Sequence, residues 1–399
     1  MKAISISKSI GVRTTTRSTP PKPTEGRSKI AFTCNKVMGL QLFRKEVIID
    51  LIAASYEVYI ITPVDHYVES FISAGATFIN YKLEDQSRNI AVEIRQIFQL
   101  RKIYKTIAPD LIFQYTIKPN IYGTMAAKSL GIPCISLVPG LGIFPDIKKF
   151  FIRRLIEIGY SFAAKNSNEI WFLNNHDRGF FDAKGWLKKS TSRLLPGEGV
   201  NTSIFSFTPL PHNERPKALF LGRLLKTKGI ITFAKVAEIA KRLNLEIDFH
   251  VIGFIDEEHP DGISSQELKA WTEAKYLTYG GTTSNPAEEL KKVDIVIVPT
   301  TFREGLNRVV QEALSIGRTV ITTSVPGAGE LIDHTQTGYI VPPNDPEAII
   351  QILQLHTSLS FEERNNMAKL GSEYVASKYD VCKILPHYWD AITRHCSID

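Results

Sequence analysis

Short apolar runs alternate with longer segments of helical period along the chain from residue 29 onward. In the first half the apolar runs are KIAFTC, EVYIIT, TFIN, LIFQY, PCISLV and EIWFL. In the second half they are KALFLG, EIDFHVIG, YLTYG, DIVIVPT, TVITT and GYIVP. Strands separated by helices in this way form parallel sheets with helices on both faces. The sequence therefore predicts an α/β protein with doubly wound parallel sheets.

The alternation is interrupted in the stretch LLPGEGVNTSIFSFTPLPHNERP, where four prolines and two glycines remove any regular period. We interpret residues 197–216 as a linker between two Rossmann-like domains. The N-terminal domain then comprises residues 29–196 and the C-terminal domain residues 217–382. We expect the last helix, 383–399, to pack back on the N-terminal domain. The carboxyl ends of two such sheets face each other across a cleft, the usual position of a ligand.

Composition and charge exclude several classes of protein. A chain of 399 residues that is 43% hydrophobic and 22% charged suits two globular domains. The net charge of +7 is concentrated in residues 1–28, which carry six basic residues and one acidic residue, leaving +2 for the rest. This balance indicates no nucleic-acid partner. The sequence contains no apolar run long enough to span a bilayer, and we expect a cytoplasmic protein.

The first 28 residues are rich in Ser, Thr, Pro and basic residues. We predict that they form a disordered basic tail, and a transit peptide is the alternative interpretation. The four cysteines show no CxxC spacing, which favours reduced thiols over disulfides or a metal site.

The stretch TTFREGLNRVVQEAL places two carboxylates around a helix start. Asn307 is a good N-cap, so Glu304 lies in the preceding loop and Glu312 lies more than one turn inside the helix. The loop follows a predicted strand and therefore faces the cleft. The free backbone N–H groups near Gly305 and Leu306 favour an anion such as a phosphate, and glycine permits its close approach.

A second strand end supplies positive charge. In LFLGRLLKTKG, Arg223 and Lys228 follow a strand, and Gly222 leaves room for the turn. Together with the helix start, these cations would neutralise a diphosphate. Glu312 can then accept hydrogen bonds from ribose hydroxyls, and Glu304 can reach a sugar beyond the phosphate. Either motif alone is common at a solvated strand end, but the two in one domain indicate a functional site.

We expect a second ligand, an acceptor, to enter from the N-terminal domain. Lys118 and Asn120 follow the strand LIFQY, and Gly140 and Gly142 follow CISLV, so both loops open on the cleft. Asn120 has an equally good interpretation as the cap of the next helix. The loop GLGIFP has Pro145 where a dinucleotide fingerprint has its third glycine, which disfavours a Rossmann dehydrogenase.

The segment IKKFFIRRLIEIGY, residues 147–160, combines basic with bulky apolar side chains. This mixture suits contact with an anionic membrane surface that presents a lipid-linked acceptor. The alternative is an ordinary domain helix with one solvated basic face, and the sequence leaves both interpretations open.

The motifs resemble those of glycosyltransferase family 4, the GT-B enzymes that retain anomeric configuration. The resemblance extends from residue 29 to about residue 395. In the second half it rests on GRLLKTKG, REGLNRVVQEALSIGRTVITTSVPGAGELI and TGYIVPPND. In the first half it rests on TIKPNIYGTMAAKSLGIPCISLVPGLG, WFLNNHDRGFF and LLPGEGVN. The first-half motifs are similar to the branch that adds sugars to polyprenyl-diphosphate-linked intermediates of bacterial surface polysaccharides.

The resemblance implies that Arg223 and Lys228 bind the donor diphosphate, that Glu312 holds the ribose and that Glu304 lies at the donor sugar. Glu304 is the expected catalytic residue. Its action as a nucleophile or as a positioning and electrostatic group is left open, and we favour the second.

Three positions depart from the family pattern. Asn307 stands where this branch commonly has Pro, and Pro139 stands where it has Thr. The sequence GAGE at 327–330 replaces the more usual GCRE, so the family's arginine is missing at Gly329. None of these differences removes the residues that would contact phosphate or ribose.

The resemblance implies a retaining glycosyltransferase that moves an N-acetylhexosamine or hexose from a nucleotide sugar, UDP-linked, to a lipid-linked saccharide. It would work at the cytoplasmic face of the membrane. The sequence has no Asp-x-Asp motif and no ligand-like spacing of histidines, so we expect neither a metal nor a cofactor. Two alternatives are a non-hydrolysing sugar-nucleotide epimerase and a non-catalytic sugar-nucleotide-binding partner of another transferase.

Overall fold

Two parallel β-sheets, one in each half of the chain, form the framework of the protein. The computed structural model describes residues 18–23, 28–84, 89–142, 144, 147–187 and 192–396. The central strands of both sheets are buried along their whole length, because helices cover both faces. The predicted α/β class with two doubly wound parallel sheets is confirmed.

The N-terminal sheet has seven parallel strands in the order β3-β2-β1-β4-β5-β6-β7. The strands are β1 (Lys29–Thr33), β2 (Glu57–Thr62), β3 (Thr77–Asn80), β4 (Leu111–Tyr115), β5 (Cys134–Val138), β6 (Glu169–Phe172) and β7 (Ser192–Leu194). The helices are α1 (Val37–Phe43), α2 (Lys45–Ala53), α3 (Val68–Ala74), α4 (Ile90–Ile107), α5 (Thr124–Leu130), α6 (Phe150–Asn166) and α7 (Asn175–Ala183). A π-type turn, Pro119–Gly123, leads into α5.

The C-terminal sheet has six parallel strands in the order β10-β9-β8-β11-β12-β13. The strands are β8 (Lys217–Leu221), β9 (Asp248–Ile252), β10 (Thr278–Tyr279), β11 (Ile295–Val298), β12 (Thr319–Thr323) and β13 (Tyr339–Val341). The helices are α8 (Ile230–Arg242), α9 (Ser265–Glu273), α10 (Pro286–Lys291), α11 (Arg308–Ile316), α12 (Pro346–Ser358), α13 (Phe361–Lys378) and α14 (Val381–His395). Within the described ranges, no helix has both the length and the apolar character needed to cross a bilayer.

The helical segment that follows β1 is broken at Arg44, where α1 ends and α2 begins. The Arg44 guanidinium lies against the carboxylate of Glu198, and both side chains are buried. It also lies 5.1 Å from the ring centroid of Tyr115 and 5.7 Å from that of Tyr388. Burial opposes the charge, but the attraction of Glu198 outweighs it and raises the pKa of Arg44. The cation can enter the core because it is paired there.

Part of the N-terminal tail lies on this domain. The Tyr56 hydroxyl donates to the carbonyl oxygen of Pro21 at 2.9 Å. Nε1 of Trp389 donates to the carbonyl oxygen of Ser18 at 3.2 Å. Residues 18–23 therefore contact the domain, whereas residues 1–17 and 24–27 of the predicted disordered tail lie outside the described residues.

The last helix, α14, packs on the N-terminal sheet and continues through Pro386. Its buried residues belong to the core of that sheet: Ile384, Leu385, Tyr388, Trp389, Ala391 and Ile392. The polar end of the helix is bound to Glu169, the first residue of β6. Glu169 Oε1 accepts a hydrogen bond from Arg394 Nε at 2.9 Å and lies 2.8 Å from Nε2 of His395. The end of α14 and the N-terminal sheet are thus joined by a carboxylate that is almost fully buried.

We expect the substitution Glu169→Gln to weaken this docking in a pH-dependent way. Burial opposes ionisation, but hydrogen bonds from His395, Trp171 and Arg394 outweigh it and lower the pKa of Glu169 to about 2. A carboxylate whose pKa is lower in the folded state than in the unfolded state stabilises the fold at pH values above its unfolded pKa of 4.5. This contribution is lost as the pH falls toward 2. Urea denaturation should show a loss of about 3 kcal/mol at pH 7 and about 1 kcal/mol at pH 3.

The matched control is Glu246→Gln, which removes an exposed carboxylate paired with exposed Arg215. Its free energy of unfolding should change by less than about 1 kcal/mol at both pH values. An equal loss for Glu169→Gln at pH 7 and pH 3 would contradict the assigned role of this carboxylate.

Candidate active site

The two domains meet backbone to backbone at the loops that follow β5 and β11. A Cβ atom on Gly305 would lie 2.3 Å from the carbonyl oxygen of Pro139. A Cβ atom on Gly140 would lie 2.7 Å from the amide nitrogen of Gly305. Within the C-terminal domain, a Cβ atom on Gly327 would lie 2.2 Å from the carbonyl oxygen of Glu304. Only glycine permits these approaches, so the carboxyl ends of the two sheets face each other at this contact.

Asn174, between β6 and α7, holds this contact from the N-terminal domain. Its Nδ2 donates to the carbonyl oxygens of Glu304 at 3.1 Å and Gly305 at 2.8 Å. Its Oδ1 accepts from the amide of Asp177 at 2.7 Å, which makes the same residue the N-cap of α7. The sequence alone did not indicate this role of Asn174. An asparagine directly between a predicted strand and a predicted helix indicates a helix N-cap, but it does not indicate a contact with the other domain.

The carboxylate expected at the donor sugar is paired with a residue expected at the diphosphate. Lys228 Nζ lies against Glu304 Oε1, and the two side chains are 24% and 18% exposed. The ammonium also lies 5.3 Å from the ring centroid of Phe302. Lys228 stands in a 3-10 turn that ends at Gly229 in the left-handed conformation. The structure thus brings a cation and an anion from two different strand ends together inside the cleft.

The second cation expected at the diphosphate, Arg223, follows β8 and is exposed. Its guanidinium has no ion-pair or hydrogen-bond partner in the part of the chain that the structure describes. Gly222 has a φ of 141°, and no atom lies within 4 Å of the position that its Cβ would take. Space and an uncompensated cation at this strand end suit an anionic ligand.

The loop that carries Glu304 passes into α11 at Asn307. The side chain of Asn307 accepts from the amide of Val310 at 3.1 Å, so it is the N-cap that the sequence predicts. Leu306 is buried, and a Cβ atom on Gly197 would lie 2.6 Å from Cδ1 of Leu306. Gly305 and Leu306 therefore lie at the helix start as well as at the contact with the N-terminal domain and the linker.

The carboxylate expected to hold a ribose, Glu312, is buried on α11 and paired with Arg308 one turn earlier. Burial outweighs the attraction of Arg308 and raises the pKa of Glu312. The Arg308 guanidinium also lies 5.3 Å from the ring centroid of Phe43 in the N-terminal domain. The motifs of the sequence did not point to Arg308, although its spacing of four residues from Glu312 on a helix predicts this pair.

The residues expected on the acceptor side occupy two different environments. Gly142 lies at the cleft, where a Cβ atom would be 3.1 Å from the ring of Phe302. Lys118 lies at the edge of the domain, with its ammonium 3.0 Å from Glu93 Oε1. Asn120 is fully buried in the π-type turn, and its Nδ2 donates to the carbonyl oxygen of Leu137 at 2.8 Å.

The Asn120 side chain therefore joins the π-type turn to β5 from inside the domain instead of presenting a polar group on the cleft surface. It does not cap the following helix either, because no side-chain cap bond is formed at that start. Among the residues that the structure describes, no three His, Cys, Asp or Glu side chains group as metal ligands would.

Comparison with protein families gives two adjacent matches. Residues 29–172 match the glycosyl transferase 4-like family, and residues 203–373 match the glycosyl transferases group 1 family. The first match covers most of the N-terminal domain, and the second covers the loops that carry Arg223, Lys228 and both glutamates.

Among characterised relatives, an N,N'-diacetylbacillosaminyl-diphospho-undecaprenol alpha-1,3-N-acetylgalactosaminyltransferase of Campylobacter jejuni is 27% identical over 78% of this chain and 84% of its own length. A UDP-Gal:alpha-D-GlcNAc-diphosphoundecaprenol alpha-1,3-galactosyltransferase of Escherichia coli is 24% identical over 67% of this chain and 71% of its own.

A crystal structure of a glycosyltransferase from Rickettsia africae superposes with a TM-score of 0.77 at 17% identity, covering 94% of this chain and all of that one. This similarity concerns the fold, which both chains share across the two domains and the cleft. The two family matches, the named relatives and the two-sheet architecture agree. The chain is a glycosyltransferase that carries a glycosyl transferase 4-like domain in its N-terminal half and a glycosyl transferases group 1 domain in its C-terminal half, on a fold of the GT-B type.

Proposed function

We propose that the protein transfers an N-acetylhexosamine or a hexose from a UDP-linked donor to a polyprenyl-diphosphate-linked saccharide during surface polysaccharide synthesis, with retention of anomeric configuration. The observation that carries the proposal is the grouping of Arg223, Lys228 and Glu304 at the carboxyl ends of two neighbouring strands. The names of the Campylobacter and Escherichia relatives support the acceptor class, because both describe diphospho-undecaprenol-linked saccharides.

The donor site is proposed to bind the nucleotide sugar through its charges. Arg223, which has no ionic partner in the described chain, and Lys228 provide positive charge for the diphosphate. The start of α11 adds backbone N–H groups and the positive end of the helix dipole. Glu312 offers a carboxylate for the ribose hydroxyls, and Arg308 holds that carboxylate in place.

The reaction breaks the bond between the sugar C1 and the diphosphate oxygen, and its electron pair moves to the diphosphate. The acceptor hydroxyl forms the new bond to C1, and its proton passes to the oxygen of the leaving diphosphate. Preorganised cations stabilise the charge that develops on the leaving group, where one well-placed donor contributes about 3 kcal/mol to lowering the barrier. We assign Glu304 to positioning and electrostatic support of the sugar, because Lys228 and the hydrogen-bonded loop hold it.

Loss of Arg223 should remove the stabilisation that a bound nucleotide provides. UDP at about 100 times its dissociation constant should raise the free energy of unfolding of the wild type by about 2.7 kcal/mol. We expect Arg223→Ala to lose most of this gain, measured as a shift in thermal midpoint. Lys226→Ala is the control, because Lys226 is an exposed cation in the same segment and should leave the gain unchanged.

GDP, ADP and dTDP, tested beside UDP, identify the base that the site prefers. A wild-type protein whose midpoint responds to none of the four nucleotides would contradict the donor site.

Glu304→Gln should slow transfer without removing the donor. The amide keeps the shape of the side chain but loses the charge that pairs with Lys228, so we expect kcat to fall by roughly 100- to 1,000-fold. The stabilisation by UDP should change by less than about 0.5 kcal/mol. The control is Glu238→Gln, which removes a partly exposed carboxylate of α8 in the same domain that pairs with Lys235, and it should leave both quantities unchanged.

The product of the wild-type reaction, analysed by proton NMR, should keep the anomeric configuration of the donor. An inverted product would contradict retention. Release of an epimerised nucleotide sugar in the absence of acceptor would identify an epimerase instead.

We also propose that the start of α6 contacts the cytoplasmic face of the membrane, where a lipid-linked acceptor is available. Phe150 and Phe151 are 62% and 81% exposed, and Lys148 and Lys149 are exposed immediately before them. Arg154 is 3.1 Å from Glu157 and is therefore less available to lipid headgroups. Exposed aromatic rings beside lysines are typical of a surface that rests on anionic lipid.

The variant Lys148→Glu/Lys149→Glu should weaken binding to vesicles that contain anionic lipid. Each lysine near such a surface contributes about 1 kcal/mol, so removing two should lower the affinity by roughly 30-fold, and the added negative charge lowers it further. Vesicle co-sedimentation measures the effect. The variant Lys369→Glu/Lys378→Glu on α13 makes the same change in net charge away from α6, and equal losses in the two variants would contradict the proposal.

A further inference from the structure

An apolar groove crosses the surface of the N-terminal domain between α4 and α6, above the π-type turn. Its volume is about 600 Å³, which is within the range of small-molecule sites. The apolar side chains that line it include Ile90, Ile94, Ile97, Ile121, Leu155 and Ile158. Three of them, Ile90, Leu155 and Ile158, are 71%, 65% and 57% exposed. Apolar side chains gathered around a concave surface indicate a binding site more than an ordinary domain surface does.

The groove shares lining residues with a smaller cavity that lies near the contact between the two domains. Asn35 and Thr116, at the carboxyl ends of β1 and β4, line both the groove and a smaller apolar cavity of about 210 Å³. Pro139 lines the smaller cavity and contacts Gly305 in the loop that carries Glu304. A path therefore leads from the proposed reaction centre, past Pro139 and Thr116, into the groove.

Thr116 stands at the junction in a strained conformation. Its φ of 74° lies in the left-handed region, which a β-branched residue rarely adopts. Its hydroxyl is buried and has no hydrogen-bond partner among the described residues. Strain of this kind is found where a ligand site requires it, and a buried hydroxyl without a partner is costly unless a ligand or water supplies one.

The polar side chains that line the groove are Asn35, Glu93, Thr116, Lys118 and Tyr122. Lys118 lines the groove beside Thr116, and its charge is balanced by Glu93 at 3.0 Å. The rest of the lining is formed by isoleucine, leucine and methionine side chains and by Gly159. A molecule that fits this pattern has a polar or anionic end toward the cleft and a branched hydrocarbon chain extending away from it.

We propose that the groove binds the isoprenyl chain of the acceptor, with the diphosphate of the acceptor at Thr116 and Lys118. The identity of the acceptor rests on the function proposed above. The chain would enter from the cleft and run between α4 and α6, where Leu155 and Ile158 stand on the same helix as the exposed Phe150 and Phe151. The groove thus connects the reaction centre with the proposed membrane contact.

Farnesyl diphosphate is a soluble probe of this groove, and titration calorimetry measures its dissociation constant. Saturating UDP is present throughout, so that the proposed donor diphosphate site is already filled. The wild type should bind farnesyl diphosphate at least about tenfold more tightly than inorganic pyrophosphate, because only the former buries a hydrocarbon chain. The variant Ile94→Gln/Leu155→Gln should lose this difference and keep its affinity for pyrophosphate. Both substituted side chains are exposed, so the thermal midpoint should not change.

Phe98→Gln is the matched control, because Phe98 is an exposed residue of α4 that does not line the groove. It should bind farnesyl diphosphate as the wild type does. Equal affinity of the wild type for farnesyl diphosphate and pyrophosphate would overturn the inference. Loss of vesicle binding in Ile94→Gln/Leu155→Gln with undiminished farnesyl diphosphate binding would also overturn it, since the groove would then be a membrane-contact surface only.

Measurements of binding and of turnover test the proposed groove and the proposed reaction independently. Tight farnesyl diphosphate binding without sugar transfer to any lipid-linked saccharide would uphold the groove and contradict the reaction. Transfer with the same kcat/KM to a saccharide diphosphate carrying a methyl group as to one carrying a farnesyl chain would uphold the reaction and contradict the groove.

Discussion

The close backbone contact between the two domains determines the shape of the cleft. Gly140 of one domain and Gly305 of the other approach so closely that neither position has room for a side chain. Asn174 adds two hydrogen bonds from the N-terminal domain to the same loop. The position of Glu304 therefore depends on both domains, although the residue belongs to only one. A substitution that separated the loops would displace the carboxylate from any ligand held by the opposite domain.

Charged pairs reinforce this contact at the domain boundary. Arg308 holds Glu312 and lies over the ring of Phe43, so a carboxylate of the proposed donor site is linked to the N-terminal domain. Arg44 and Glu198 join the break between α1 and α2 to the start of the linker. Buried pairs of this kind add little net stability compared with apolar packing. Each partner is costly when left alone, however, so the pairs favour the arrangement in which both partners meet.

Particular elements show where sequence patterns succeed and where they fail. The runs EVYIIT and LIFQY coincide with β2 and β4, because buried parallel strands are continuous apolar runs with clear ends. The helical segment between β1 and β2 is broken at Arg44, and the sequence pattern does not predict this break, because Arg44 is a buried cation whose partner Glu198 lies far along the chain. The three residues of β7 carry too little pattern to predict a strand.

The sequence by itself determined the class of fold, the two parallel sheets and the strand end and helix that carry Glu304 and Glu312. These properties follow from local period, capping and turn chemistry, which neighbouring residues encode. Only the tertiary structure decided that Lys228 pairs with Glu304, that Asn174 holds the loop and that Thr116 lines both the apolar groove and the smaller cavity beside it. Such contacts join residues far apart in the chain, and their geometry depends on how elements and domains pack, which no local pattern specifies.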